Sequence, residues 1–84
     1  MDAAVVVRQY VVENFLFGED GNLEDTSSFL ETGIIDSTGI LELVSFLEET
    51  FRVSIADEEL VPENLDSIAN VVAYLQKKGT ISLA

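Results

Sequence analysis

The stretch Glu31-Thr32-Gly33-Ile34-Ile35-Asp36-Ser37-Thr38-Gly39-Ile40-Leu41-Glu42-Leu43-Val44 decides the fold, because in it a glycine-containing loop turns into an amphipathic helix with a hydroxyl at the turn. Asp36 or Ser37 can serve as N-cap, accepting a hydrogen bond from one of the backbone N–H groups that a helix start leaves unpaired. Either choice exposes Ser37 at the positive end of the helix dipole, where an attached anion is favourably placed.

Working outward, the helix opened by this stretch is expected over Ser37 to about Phe51. Ile40, Leu43, Val44, Leu47 and Phe51 make its apolar stripe, and Leu41, Glu42, Ser45, Glu48 and Glu49 fall on the other side. By periodicity alone those acids read as solvated helix residues. Upstream, a first helix is expected from about Ala3 to Phe17, on Ala4, Val7, Val11 and Phe15 with Tyr10 beside them, and Gly18 stops it. Val5-Val6-Val7 also suits a strand, but length and the missing two-residue alternation favour helix.

Between Gly18 and Asp36 the pattern breaks into a long loop, which Leu23, Phe29, Leu30, Ile34 and Ile35 are expected to pin to the core. Asp20, Asn22, Glu24 and Glu31 fall at positions 1, 3, 5 and 12 of a calcium loop. Asp25 and Ser27 then stand where such a loop needs a glycine and an apolar residue, which argues against calcium.

Downstream, Val53-Ser54-Ile55 is expected to run extended. Asp57 to Leu60 suits one helical turn with acids at its start, and Pro62 limits or restarts it, so a third helix is short. Asp66 is the expected N-cap of a last helix, Ser67 to about Lys78, with Ile68, Val71, Val72 and Leu75 inward and Tyr74 at the margin. Lys77 and Lys78 complement its dipole, Gly79 follows as the C′ residue, and residues 80–84 are expected to fray. The sum is one all-α domain, a small four-helix bundle with a long loop between helices one and two and a short helix three.

At 84 residues the chain buries only about 60% of its unfolded surface, which leaves little room for an enclosed active site. Sixteen acidic residues against four basic ones give a net charge of -12. Such a surface repels nucleic acid and anionic membrane and steers basic partners towards itself. Without Cys there is no disulfide or thiolate metal site, and without His no Ser-His-Asp arrangement. A lone serine without a base is a weak nucleophile, so Ser37 reads as a substrate for another protein's catalyst, not as an enzyme's own nucleophile. The N-terminal residues show no signal-peptide pattern, so a cytoplasmic protein is expected.

The run Gly33-Ile34-Ile35-Asp36-Ser37, followed by Leu41-Glu42-Leu43-Val44 and Glu48-Glu49, resembles the acyl carrier protein family over nearly the whole chain. The resemblance implies a fold of acyl-carrier type and a 4′-phosphopantetheine, taken from coenzyme A and attached covalently to Ser37, so that the carrier is a phosphoprotein holding acyl or aminoacyl groups as thioesters. It implies as partners a phosphopantetheinyl transferase and loading ligases or acyl-transfer enzymes with basic surfaces, met by a monomeric carrier. Asp36, Leu41, Glu42, Glu48 and Glu49 match the family's partner-contact positions. Fatty-acid carriers follow the serine with an apolar residue and an acid, where this chain has Thr38 and Gly39. That pair looks more like carriers that work beside an adenylating ligase, D-alanyl and aminoacyl carriers among them, so fatty-acid, polyketide and specialised pathways all stay open. The rival from another class is an unmodified acidic helical adaptor for a basic protein.

Overall fold

The computed structural model describes residues 3–16, 18 and 23–79. Five α-helices run in the order α1 (Ala3–Phe15), α2 (Phe29–Thr32), α3 (Ser37–Phe51), α4 (Pro62–Leu65) and α5 (Ile68–Lys77), with a 3₁₀ turn at Asp57–Glu59. Three are long and two are single turns, and no strand occurs among the described residues.

Helix α1 buries Ala3, Val7 and Val11; of the predicted stripe Val7 and Val11 are buried and Ala4 and Phe15 half-buried, and the half-buried Tyr10 stacks on Phe46 of α3 at 3.9 Å between ring centroids. It ends at Phe15, short of the expected Phe17, which lies outside the described residues. Gly18 follows at φ 86°, its N–H donating to the Val12 carbonyl at 2.9 Å. Asp20 and Asn22 of the weighed calcium pattern also lie outside the described residues.

The connection to α3 is more ordered than a plain loop, because α2 sits inside it. Ser28 caps that turn by accepting the Glu31 N–H, and Gly33 closes it in the left-handed region at φ 76°. Ser28-x-x-Glu31 is a helix-start signature legible in the sequence. Leu23, Phe29 and Ile35 pin the connection as expected and Ile34 is half-buried, but Leu30 is 42% exposed.

Helix α3 keeps its expected bounds and ends at Arg52, φ 57°. Val53 and Ile55 tuck inward beyond it without forming a strand. Pro62 occupies the first position of α4, where its missing N–H leaves no bond unmade. Helix α5 is capped by Ser67, which accepts the Asn70 N–H at 3.0 Å, and not by Asp66. Asp66 acts at long range instead, taking up hydrogen bonds from residues 28–30, and this outweighs the local capping preference. Gly79 has the expected positive φ of 71°.

The core joins all these pieces. Val7, Val11, Phe29, Ile35, Leu43, Leu47, Leu65, Ile68, Val71 and Leu75 are fully buried in one cluster. Each such side chain contributes on the order of 1.5–3 kcal/mol relative to exposure, so the shared core that holds Leu43 and Leu47 of α3, with α1 meeting α3 at Tyr10 and Phe46, fixes where Ser37 stands. No described helix is long and apolar enough to cross a membrane.

Candidate functional site

Asp36, not Ser37, is the N-cap of α3: its Oδ1 accepts the Gly39 N–H at 2.7 Å and its carbonyl the Ile40 N–H at 2.9 Å. Ser37 is therefore the first residue inside the helix, and it is exposed. The N–H groups of Ser37 and Thr38 have no partner within the helix, so a phosphate on the Ser37 oxygen would meet free donors and the positive dipole end, worth about 0.3–1 kcal/mol.

Gly39, which lowers helix propensity, has a packing reason. A Cβ there would stand 2.8 Å from Ile35 Cγ2 and 2.9 Å from Phe15 Cε1. The glycine lets the end of α1 and the crossover close against the first turn of α3, and so steadies the turn that presents Ser37.

Ser37 opens onto a groove of about 290 Å³. Ile40 and Leu41, three and four residues on, share its helix face and line the groove with it. Leu30 lines it from the crossover, Leu60 and Val61 from the connection after α3, Pro62 from the start of α4, and Leu65 and Asp66 from its end. Of the four exposed large apolar side chains among the described residues, Val5, Leu30, Leu41 and Val61, all but Val5 line this groove. Isolated exposed apolar residues need no explanation, but a cluster of them in a concave surface marks a binding site.

The expected partner residues divide. Asp36, Leu41, Glu42 and Glu49 are exposed, Leu41 at 57%. Glu42 faces the α1 side, where its charge, second to burial, raises the pKa of Tyr10. Glu48 serves the fold, since its Oε2 accepts the Ile55 N–H at 3.0 Å and ties the following segment to α3. Sequence reasoning missed the groove residues Leu30, Leu60, Val61 and Pro62. The signal was Leu60-Val61-Pro62, an apolar run between Glu59 and Glu63 that belongs to no helical stripe.

Among the described residues no cluster of carboxylates is arranged to hold a metal ion. With no histidine in the chain, the Ser37 hydroxyl has no base of its own and is suited to receive a group, not to launch one.

Comparison with known proteins agrees with this chemistry. A family model described as "Phosphopantetheine attachment site" matches residues 7–75. A probable acyl carrier protein, PigG, of Serratia sp. is 34% identical over 68 residues, covering 81% of this chain and 78% of that protein. The acyl carrier protein of Campylobacter curvus is 41% identical over 73 residues, covering 87% and 91%. The solution NMR structure of a holo acyl carrier protein from Nitrosomonas europaea superposes with a TM-score of 0.76 over 96% of this chain and 100% of that one, at 20% identity, which establishes a shared fold.

Proposed function

The chain belongs to the acyl carrier protein family through its phosphopantetheine attachment domain, and from that premise we propose that Ser37 bears the prosthetic arm and that the adjoining groove shelters the apolar end of the cargo. It is a carrier and not an enzyme, and its cofactor is a covalently attached 4′-phosphopantetheine. When attached, the arm supplies the thiol that this cysteine-free chain lacks, and that thiol holds the cargo as a thioester.

The chain's own residues have definite roles in this reading. Asp36 and Gly39 fix the first turn of α3, so the Ser37 hydroxyl meets a transferase in one position. In loading, the serine oxygen would bond to the phosphorus of the phosphopantetheine half of coenzyme A as the pyrophosphate P–O bond breaks, with the serine proton passing to a base on the transferase and the nucleotide half leaving as adenosine 3′,5′-bisphosphate. Leu41, exposed between Ser37 and Ser45, offers a partner an apolar contact, and Glu42 and Glu49 draw a basic surface towards it. Asp36 acts in that contact through the helix start it caps, and Glu48 through the segment after α3 that it ties down. Tethering replaces a bimolecular encounter with an effective concentration of up to about millimolar. The carrier works in the cytoplasm, on acyl or aminoacyl groups of a fatty-acid, polyketide or specialised pathway.

The observation that carries this reading is an exposed hydroxyl at the head of a 15-residue helix, opening on the groove where the exposed apolar side chains gather. Incubating the apo chain with a phosphopantetheinyl transferase and coenzyme A should add one phosphopantetheine by intact mass, and none to Ser37→Ala of unchanged helicity. An equal gain in the variant refutes the assignment. In the same assay Glu42→Lys with Glu49→Lys should slow loading several-fold, and salt should slow the wild type, because exposed charges act through the solvent. Equal rates would reduce both acids to solvation.

A further inference from the structure

The groove beside Ser37 has two sides held in different ways. On Leu30's side the main chain is bonded directly: Phe29 N–H donates to the Asp66 carbonyl at 2.7 Å and Leu30 N–H to Asp66 Oδ1 at 2.9 Å. The side made by Leu60, Val61 and Pro62 is held chiefly through Glu59, with one tie from α5, where Asn70 Nδ2 donates to the Pro62 carbonyl at 3.3 Å. Glu59 Oε1 accepts the Ala56 N–H at 3.0 Å and Lys78 Nζ at 3.0 Å, and Oε2 accepts the same ammonium at 3.3 Å. The Glu59 carbonyl accepts Val61 N–H and Asn64 Nδ2, both at 2.9 Å. One residue thus fastens the turn, the wall and α4, and Lys78 ties it to the end of α5.

Beneath the ion pair lies Tyr74, its ring centroid 5.8 Å from Lys78 Nζ. Its hydroxyl is buried, with Glu59 and Lys78 as the polar groups beside it. The ion pair opposes opening only weakly, because its side chains are 27% and 30% exposed and water competes for both charges. This wall is therefore fastened more weakly than the one whose amides bond directly to Asp66.

We propose that the Glu59–Lys78 pair, closed over Tyr74, is a clasp that holds the Leu60–Pro62 wall and thereby sets how large an apolar group fits beside Ser37. Glu59 and Lys78 are then specificity-determining residues that touch neither Ser37 nor the cargo. The cargo half of this inference rests on the assignment of Ser37 above; the wall half does not.

Amide hydrogen exchange on the full-length apo chain tests the wall. In Lys78→Gln the Leu60, Val61, Asn64 and Leu65 amides should exchange about two- to five-fold faster, the range an exposed ion pair supports. Phe29, Ala69 and Val71 should keep wild-type rates, and Lys78→Arg should restore the wall. Unchanged wall amides, uniform acceleration along the chain, or failure of arginine to rescue would each overturn the clasp. The same proteins, carrying acetyl or octanoyl thioesters, test the size limit. The ratio of octanoyl to acetyl hydrolysis should fall several-fold in Lys78→Gln as the longer chain gains shelter, and an unchanged ratio alongside faster exchange would overturn the specificity role. Failure to load Ser37 at all would sink the carrier assignment while the exchange result still decides the clasp.

Discussion

The two long connections flank the same groove, yet one is built into the core and the other is laid against it. Between α1 and α3, Arg8 holds the Leu23 carbonyl at 2.8 Å and Asp25 Oδ1 at 2.6 Å, Ala69 N–H reaches the Asp25 carbonyl at 2.8 Å, and Asp66 binds Leu30 N–H and the Ser28 hydroxyl. Phe29 and Ile35 are wholly buried beneath these bonds. Between α3 and α5 the longer-range polar ties are Glu48 to Ile55 N–H, Asn70 Nδ2 to the Pro62 carbonyl and Glu59 to Lys78, and only Ile55 is buried before Leu65. The comparison teaches that a small carrier can keep one wall of its site fixed as a reference and leave the other free to adjust. Rigidity here follows buried apolar contacts and main-chain hydrogen bonds, which water does not replace, more than it follows charge.

The largest effect should come from breaking the fixed side. Asp66→Ala removes the acceptor of Leu30 N–H and of the Ser28 hydroxyl, two charge-assisted bonds of which one is partly buried. A loss of about 2 kcal/mol is expected, lowering the melting temperature of a domain this size by on the order of 10 °C. Exchange at residues 28–35 should quicken with it. If melting is unchanged, the two connections do not differ in the way described.

A smaller loss should follow Gly39→Ala, where the fixed crossover meets the head of α3. Crowding Ile35, which has no freedom to yield, and Phe15, which has some, costs about 1–3 kcal/mol. The gain in helix propensity returns up to about 1 kcal/mol. A net loss near 1 kcal/mol by chemical denaturation is expected, and a net gain would show that α1 does not press on this turn.

Gly39 also shows which parts of the molecule could be read from the chain. In the sequence it is only a helix-weakening residue, because its reason, the approach of Phe15, spans residues 24 positions apart. What depends on neighbours was largely legible: the bounds of α3, a cap at Asp36 or Ser37 that the structure gives to Asp36, most of the stripes of α1, α3 and α5, though Tyr74 is buried and not marginal, and Ser37 at the helix head. Ser28-x-x-Glu31 was equally local, and it went unread because the surrounding Glu-Asp-Thr-Ser-Ser has the composition of a loop. Asp66 and Glu48 were assigned by local preference to a cap and to a solvated face. Each is instead taken by an N–H that the fold brings to it, Leu30 for one and Ile55 for the other. The groove was beyond reach for the same reason, since its walls come from three separated segments.

The smallest effect concerns how the movable wall responds to acid. Ala56 N–H, and after it Lys78, hold the Glu59 carboxyl below its ordinary value of 4.5. A depressed carboxylate pKa adds stability that is present above the unfolded value and lost as pH falls through the folded one. At the other end Lys78 is raised above its ordinary 10.5, chiefly by Glu59, and Tyr74 above 10.0, by burial and then by Glu59. Those contributions are present below the ordinary values and lost only in strong alkali, so between the two limits the clasp should be indifferent to pH. The useful quantity is the wall-amide exchange rate of Lys78→Gln divided by that of the wild type, since intrinsic exchange cancels. It should hold steady down to about pH 5 and approach one below 4.5, as Glu59 takes a proton and the wild type loses its ion pair. Leu30 and Phe29, whose bonds to Asp66 do not involve Lys78, should show no such change in their own ratio. A wall ratio that runs level through the Glu59 titration would mean that Lys78 holds the wall by some means other than this carboxylate, and the contrast between a bonded wall and a clasped one would have to be redrawn.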